Sequence, residues 1–311
     1  MKQIRNILTI VDPTATTQPA VAKAMQLAKS LHASVELFVC DFRAGLEVPE
    51  ARGARDALLE HRRSLLEELS RPHRKSGIQV TVDVAFDNPL HEGLLKKIVS
   101  SHADLVVKDT HYHNLIRRTL ISNTDWHLIR SCSTPLLLVK PTHWSSQLRT
   151  LAAVDPGHLA DKPAALDHII CEWSVTLAKA LNGEAHAVHM YLPTALLITS
   201  AATVGMPMVV ATGAEQQLIE DERQARLKLV QAVTAPHGIS ADSTRLMLGS
   251  AVDLLSEEAE RVRADIVVMG AVSRSRMKRI FVGNTAERVL DHLPCDVLIV
   301  KPLDFATDLP F

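Results

Sequence analysis

The chain has 311 residues, 47% of them apolar and 22% charged, a size and composition suited to two globular domains. Its 34 Lys and Arg against 35 Asp and Glu leave a formal charge of −1, which argues against a polyanion such as DNA as the main partner. Cys40, Cys132, Cys171 and Cys295 form no CxxC pair or zinc spacing, and the opening MKQIRNILTIVDP lacks the pattern of a signal peptide, so the expectation is a reduced, cytoplasmic protein that requires no metal.

Along the chain, short apolar runs alternate with amphipathic stretches. ILTIV is suited to a strand buried on both faces. A segment led by Thr17, with Pro19 early, predicts a capped helix through Leu31. VELFV is the next strand, and Pro49 to Pro72 carries Leu58, Leu65, Leu66 and Leu69 at helical spacing. VTVDVAF, a helix with Leu94, Leu95 and Ile98, DLVVK, a helix over Asn123–Arg130, and PLLLV follow. His111-Tyr112-His113 has no helical i,i+4 pair and reads as loop. Pro141 to Arg149 is polar and short, a linker that favours a packed pair of domains. The strands of the second half are TLAAV, EAHAVHM, STRLML, DIVVM and DVLIV. Such alternation with short links predicts a parallel, doubly wound sheet.

The two halves repeat one another. ADLVVKDTHYHNLIRRTLISNT from Ala103 lies over ADIVVMGAVSRSRMKRIFVGNT from Ala264 without a gap, and both run on to VKP, at Val139 and Val300. A period this long means two whole domains. The starts, NILTIVDP and RTLAAVDP, match at a shorter offset, so the second copy carries an insertion around residues 190–214, uncharged and apolar. That run is long enough to span a bilayer, but Pro193, Gly205 and Pro207 interrupt it, and no membrane span is expected.

These motifs resemble the universal stress protein family: a first strand ending in V-D, a D-[LI]-V-V strand, G-N-T opening a helix, and a last V-K-P strand. The resemblance covers the chain twice, at 1–141 and 149–304, and VVKDTHYHNLIRRTLISNTDWHLIR is most similar to the tandem E type. It implies two Rossmann-like α/β domains of five mainly parallel strands, packed as a pseudo-dimer within one chain. A further homodimer of tandem chains is compatible with it.

ATP-binding members of that family carry G-x2-G-x9-G-[ST] after the fourth strand. Glycines there bring backbone N–H groups close to phosphate oxygens, and the next helix adds its positive end. The second copy reads G-x2-S-x9-G-N-T, with Gly270, Ser273, Gly283, Asn284 and Thr285, and Arg274 among the basic residues between. Asp155 matches the family's acidic residue near the nucleoside, and Val188 its adenine side. The first copy has Asp109, Tyr112 and Ser122 in the glycine columns, a carboxylate and two Cβ atoms against phosphate. The glycines also read as turn residues, with Asn284 and Glu287 as a capping box, and Asn123-Thr124 as the cap in copy one.

Three functions stay open. The first is a non-catalytic stress-response regulator binding ATP in the second domain; no Walker A, GxSxG or HExxH pattern marks an enzyme. The second is a sensor or carrier of an apolar ligand held by Leu192, Leu196, Leu197, Ile198, Met206, Met208 and Val209 of the insertion. The third is a ligand-free scaffold for an unknown protein partner.

Overall fold

A computed structural model describes residues 3–110, 122–157, 165–193, 213–271, 289–290 and 292–307. The first repeat runs β1 (Asn6–Ile10), α1 (Pro19–Leu31), β2 (Ser34–Asp41), α2 (Arg52–Lys75), β3 (Val80–Phe86), α3 (Leu90–Ser101), β4 (Leu105–Asp109), α4 (Asn123–Ser131) and β5 (Leu136–Val139). The second runs β6 (Arg149–Ala153), α5 (Ala165–Ala180), β7 (Glu184–Tyr191), α6 (Gly213–Thr234), β8 (Thr244–Leu248), α7 (Ala251–Val262), β9 (Ile266–Gly270) and β10 (Asp296–Val300).

All ten strands form one sheet, ordered β3-β2-β1-β4-β5-β10-β9-β6-β7-β8. Pairing is parallel within each repeat and antiparallel between β5 and β10. The expected intramolecular pseudo-dimer is therefore built by the last strands. LLLV and DVLIV are buried at every position, as strands covered on both faces must be. Two apolar layers run across the join, one on the face of α1 and α5, the other on the face of α3, α4 and α7.

The shared VKP ending has a structural purpose. Lys140 Nζ donates to the carbonyl of Leu293, and Lys301 Nζ donates to the carbonyl of Arg130 at 3.4 Å. Each lysine thus reaches across the join to the C-terminal end of the other repeat's last helix, where carbonyls lack partners. A second tie is one-sided. Buried Asp296 takes Lys23 Nζ at 2.6 Å, the amide of Lys140 at 2.8 Å and the indole N–H of Trp144 at 2.7 Å. The matching columns, Trp173 and Pro135, bear no charge. Asp265 holds the amides of Ser145 and Arg149, so the linker is fastened to the second repeat.

Three local expectations need correction. Thr17 does not cap α1; Gln18 is its N-cap residue, and its side chain donates to the carbonyls of Asp12 and Ala15 and not to the helix. The helix α2 continues past Pro72 to Lys75. The cap of α4 is Ser122, not Asn123 or Thr124: Ser122 Oγ accepts the Asp125 amide at 3.2 Å, and Asp125 Oδ2 accepts the Ser122 amide at 2.9 Å.

Candidate functional site

In each repeat the strand order changes direction beside the first strand, between β1 and β4 and between β6 and β9. Crevices at the carboxyl ends of such strands are where open α/β sheets bind ligands. The first repeat has a cavity of about 260 Å³ at this place. Ile10, Val11, Cys40, Leu90 and Leu94 form its apolar wall, and Asp12, Lys108, Asp109, Ser122 and Thr124 its polar side.

The chain's own carboxylates occupy both helix ends beside that cavity. Asp109 Oδ1 accepts the amide of Ala20, in the first turn of α1, at 2.7 Å. Asp125 sits on the amide and hydroxyl of Ser122 at the start of α4. Lys108, the cation in the cavity wall, lies 2.7 Å from Asp125 Oδ1 and also donates to the Asp109 carbonyl at 2.9 Å. Burial pushes the Asp109 carboxyl up to about 6, against the downward pull of the Ala20 amide, Lys108 and Lys23. Burial and the carboxylate of Asp87 push the Cys40 thiol up to about 12, so it is not a nucleophile at neutral pH.

In the second repeat, Asp155 and Gly270 lie at the corresponding carboxyl ends of the first and fourth strands, just past the paired residues Ala153 and Met269. The Asp155 amide donates to Asp167 of α5 at 2.8 Å, and its carboxylate stands 3.6 Å from His189 Nδ1. Burial holds His189 below the usual histidine range, outweighing the Asp155 charge, so its ring is neutral at pH 7. Gly270 does not adopt a left-handed conformation. A Cβ there would stand 2.6 Å from Leu166 Cδ2, so Leu166 of α5 packs closely on the glycine and would have to shift for a larger residue.

The Universal stress protein family model matches residues 3–140 and again 149–301. The chain belongs to the universal stress protein family. Universal stress protein E of Escherichia coli strain K12 is 28% identical over 314 residues, covering 99% of this chain and 97% of that protein. The homolog from Haemophilus influenzae is 25% identical, covering 96% and 98%. Among solved structures, PA1789 of Pseudomonas aeruginosa PAO1, described as functionally unknown, aligns with a TM-score of 0.71 at 23% identity, over 97% of this chain and 94% of that one. A universal stress protein from Archaeoglobus fulgidus aligns at 0.69, with 15% identity over 96% and 99%. The chain is thus a tandem universal stress protein of the E type.

Within this universal stress protein, sequence and structure place the site residues differently. Val188 pairs with Ala153 as Phe38 pairs with Ile10, and both are buried in the core. The counterpart of cavity-lining Cys40 is two residues on, Met190. Ser273, Arg274, Gly283, Asn284, Thr285, the Asn284–Glu287 capping box, Tyr112 and the 111–113 histidines lie outside the described residues. So do Leu196, Leu197, Ile198, Met206, Met208 and Val209; Leu192 is 48% exposed. Sequence reading missed the Asp125–Lys108 pair, whose signal was Ser-x2-Asp at the helix start. Among the described residues there is no group of three metal-binding side chains and no helix long and apolar enough to cross a membrane.

Proposed function

We propose that this universal stress protein is a non-catalytic, cytoplasmic stress-response regulator that binds ATP or a related nucleotide in its second domain, 149–304, and not in its first, 1–141. The observation that carries this reading is the fate of two carboxylates. Asp109 and Asp125, which occupy the helix ends in the first repeat, are matched by Gly270 and Ala286 in the second. The two columns that hold these carboxylates in one repeat carry no acid in the other, where Glu287 follows one place after Ala286. Asp155 matches the family's acidic residue near the nucleoside, and Ser273, Arg274, Gly283, Asn284 and Thr285 supply donors and positive charge for phosphates.

A second reading, an apolar ligand held by the insertion, draws support from Leu192 and Leu248. They are 48% and 52% exposed at the carboxyl edge of β7 and β8, where the insertion departs. Mass spectrometry of small molecules released from gently purified protein tests both. One ATP or ADP per chain supports the first reading. A stoichiometric lipid moves the function to the insertion. Empty protein that also fails to take up added ATP contradicts the nucleotide reading.

A further inference from the structure

The first repeat's cavity remains open although its phosphate-holding positions are filled. Leu90, Leu94 and Ile10 form an apolar bed, Asp12 stands at the rim, and Asp109 closes the end. Asp12 Oδ1 already accepts the amide and hydroxyl of Thr14, at 2.8 and 2.7 Å. Asp109 differs. Its residue is 7% exposed, Oδ1 takes the Ala20 amide, and Oδ2 is buried and accepts no hydrogen bond among the described residues. The adjacent Lys108 is committed to Asp125 and to a backbone carbonyl, and Lys23 is committed to Asp296. A buried carboxylate oxygen with no donor is costly, and neutral asparagine would cap α1 as well.

We propose that this cavity binds a small organic ammonium ion, its apolar body on Leu90 and Leu94 and its N–H group directed to Asp109. The volume, about 260 Å³, admits a ligand of roughly amino-acid size. Carboxylates at two points of the wall, with the one lysine among its described residues already paired, favour a cation and oppose a phosphate or carboxylate. The inference concerns the first repeat and does not depend on nucleotide binding in the second.

The test is a titration of the intact chain with phenethylammonium, followed by amide chemical shifts, beside phenylacetate and inorganic phosphate at equal ionic strength. The cation should give saturable shifts at the ends of β1 and β4, with phenylacetate at least about tenfold weaker. Asp109→Asn, with its fold checked by circular dichroism, should weaken the cation by about five- to tenfold, the loss of one charge-assisted bond. The wild-type chain supplies an arm that needs no variant. Among the described residues, the groups facing Asp109 are the Ala20 amide and Lys23 on α1, Lys108 on β4 and Asp12 after β1. The ligand amine stays charged from about pH 5 to 8, so affinity should fall as pH drops through about 6 and Asp109 protonates. Absence of saturable shifts, equal binding of phenylacetate, or an affinity flat from about pH 5 to 8 would overturn the proposal.

Discussion

Asp109 at the end of β4 caps α1 through the amide of Ala20, 89 residues earlier in sequence, at 2.7 Å. That contact ties the column where the second repeat carries glycine to the helix that follows the first strand. In the second repeat the same column, Gly270, is packed by Leu166 of the equivalent helix. One repeat fills the space with its own carboxylate and the other with an apolar side chain from the facing helix.

The Asp109 cap carries a pH signature. A carboxyl whose folded value is raised to about 6 from 3.8 binds more protons in the folded state between those values. Stability should therefore fall as pH rises through that window, and the loss should be complete above it. Asp109→Asn keeps the acceptor for Ala20 and removes the buried charge. It should be more stable than wild type at pH 7 by about 1–3 kcal/mol and equal to it below the unfolded carboxyl value. Urea melts across the window would show this; a variant less stable at neutral pH would mean that the charge itself is needed for the cap.

Lys23 and Asp296 make the buried tie between repeats, at 2.6 Å. Lys23→Met leaves Asp296 with the Lys140 amide and the Trp144 indole but no cation. The expected cost is about 3–5 kcal/mol, much of it recovered when Asp296→Asn is added. Strictly additive losses in the double-mutant cycle would show that the two side chains are not coupled.

Burial pulls Lys301 down to about 8 from 10.5. The unfolded state then binds more protons across that interval, so this residue makes stability rise with pH from about 8 to about 10.5. Lys301→Met should flatten that part of the pH–stability curve relative to wild type. Identical slopes in the two proteins would place the Lys301 ammonium in solvent.

Gly270→Ala brings a Cβ to 2.6 Å from Leu166 Cδ2. It should cost about 1–3 kcal/mol by overpacking, and Leu166→Ala in the same chain should relieve part of it. A neutral Gly270→Ala would leave the ligand, and not α5, as the reason for glycine here.

The fold was legible because each strand is a short apolar run bounded by turn residues; VTVDVAF coincides with β3 from Val80 to Phe86. The pseudo-dimer was expected from the resemblance to the family and from the short linker, and β5 and β10 form it. The contacts that decide the site were not legible. Asp109 finds Ala20, and Lys140 finds Leu293, only after the sheet brings distant segments together. Ser122 read as a side chain obstructing a glycine position, whereas its hydroxyl and Asp125 form a capping box. That Val188 is a buried core residue paired with Ala153 was not legible either, because strand ends cannot be fixed to within two residues by apolar pattern alone.

Isothermal titration of ATP into the intact chain tests the division of labour between the repeats most directly. The account predicts one site per chain, abolished by Gly283→Asp with the fold retained. Asp109→Gly combined with Ser122→Gly should add no second site, because Asp125 still holds Lys108. Binding that survives Gly283→Asp unchanged, or two equivalent sites in the wild-type chain, would contradict it.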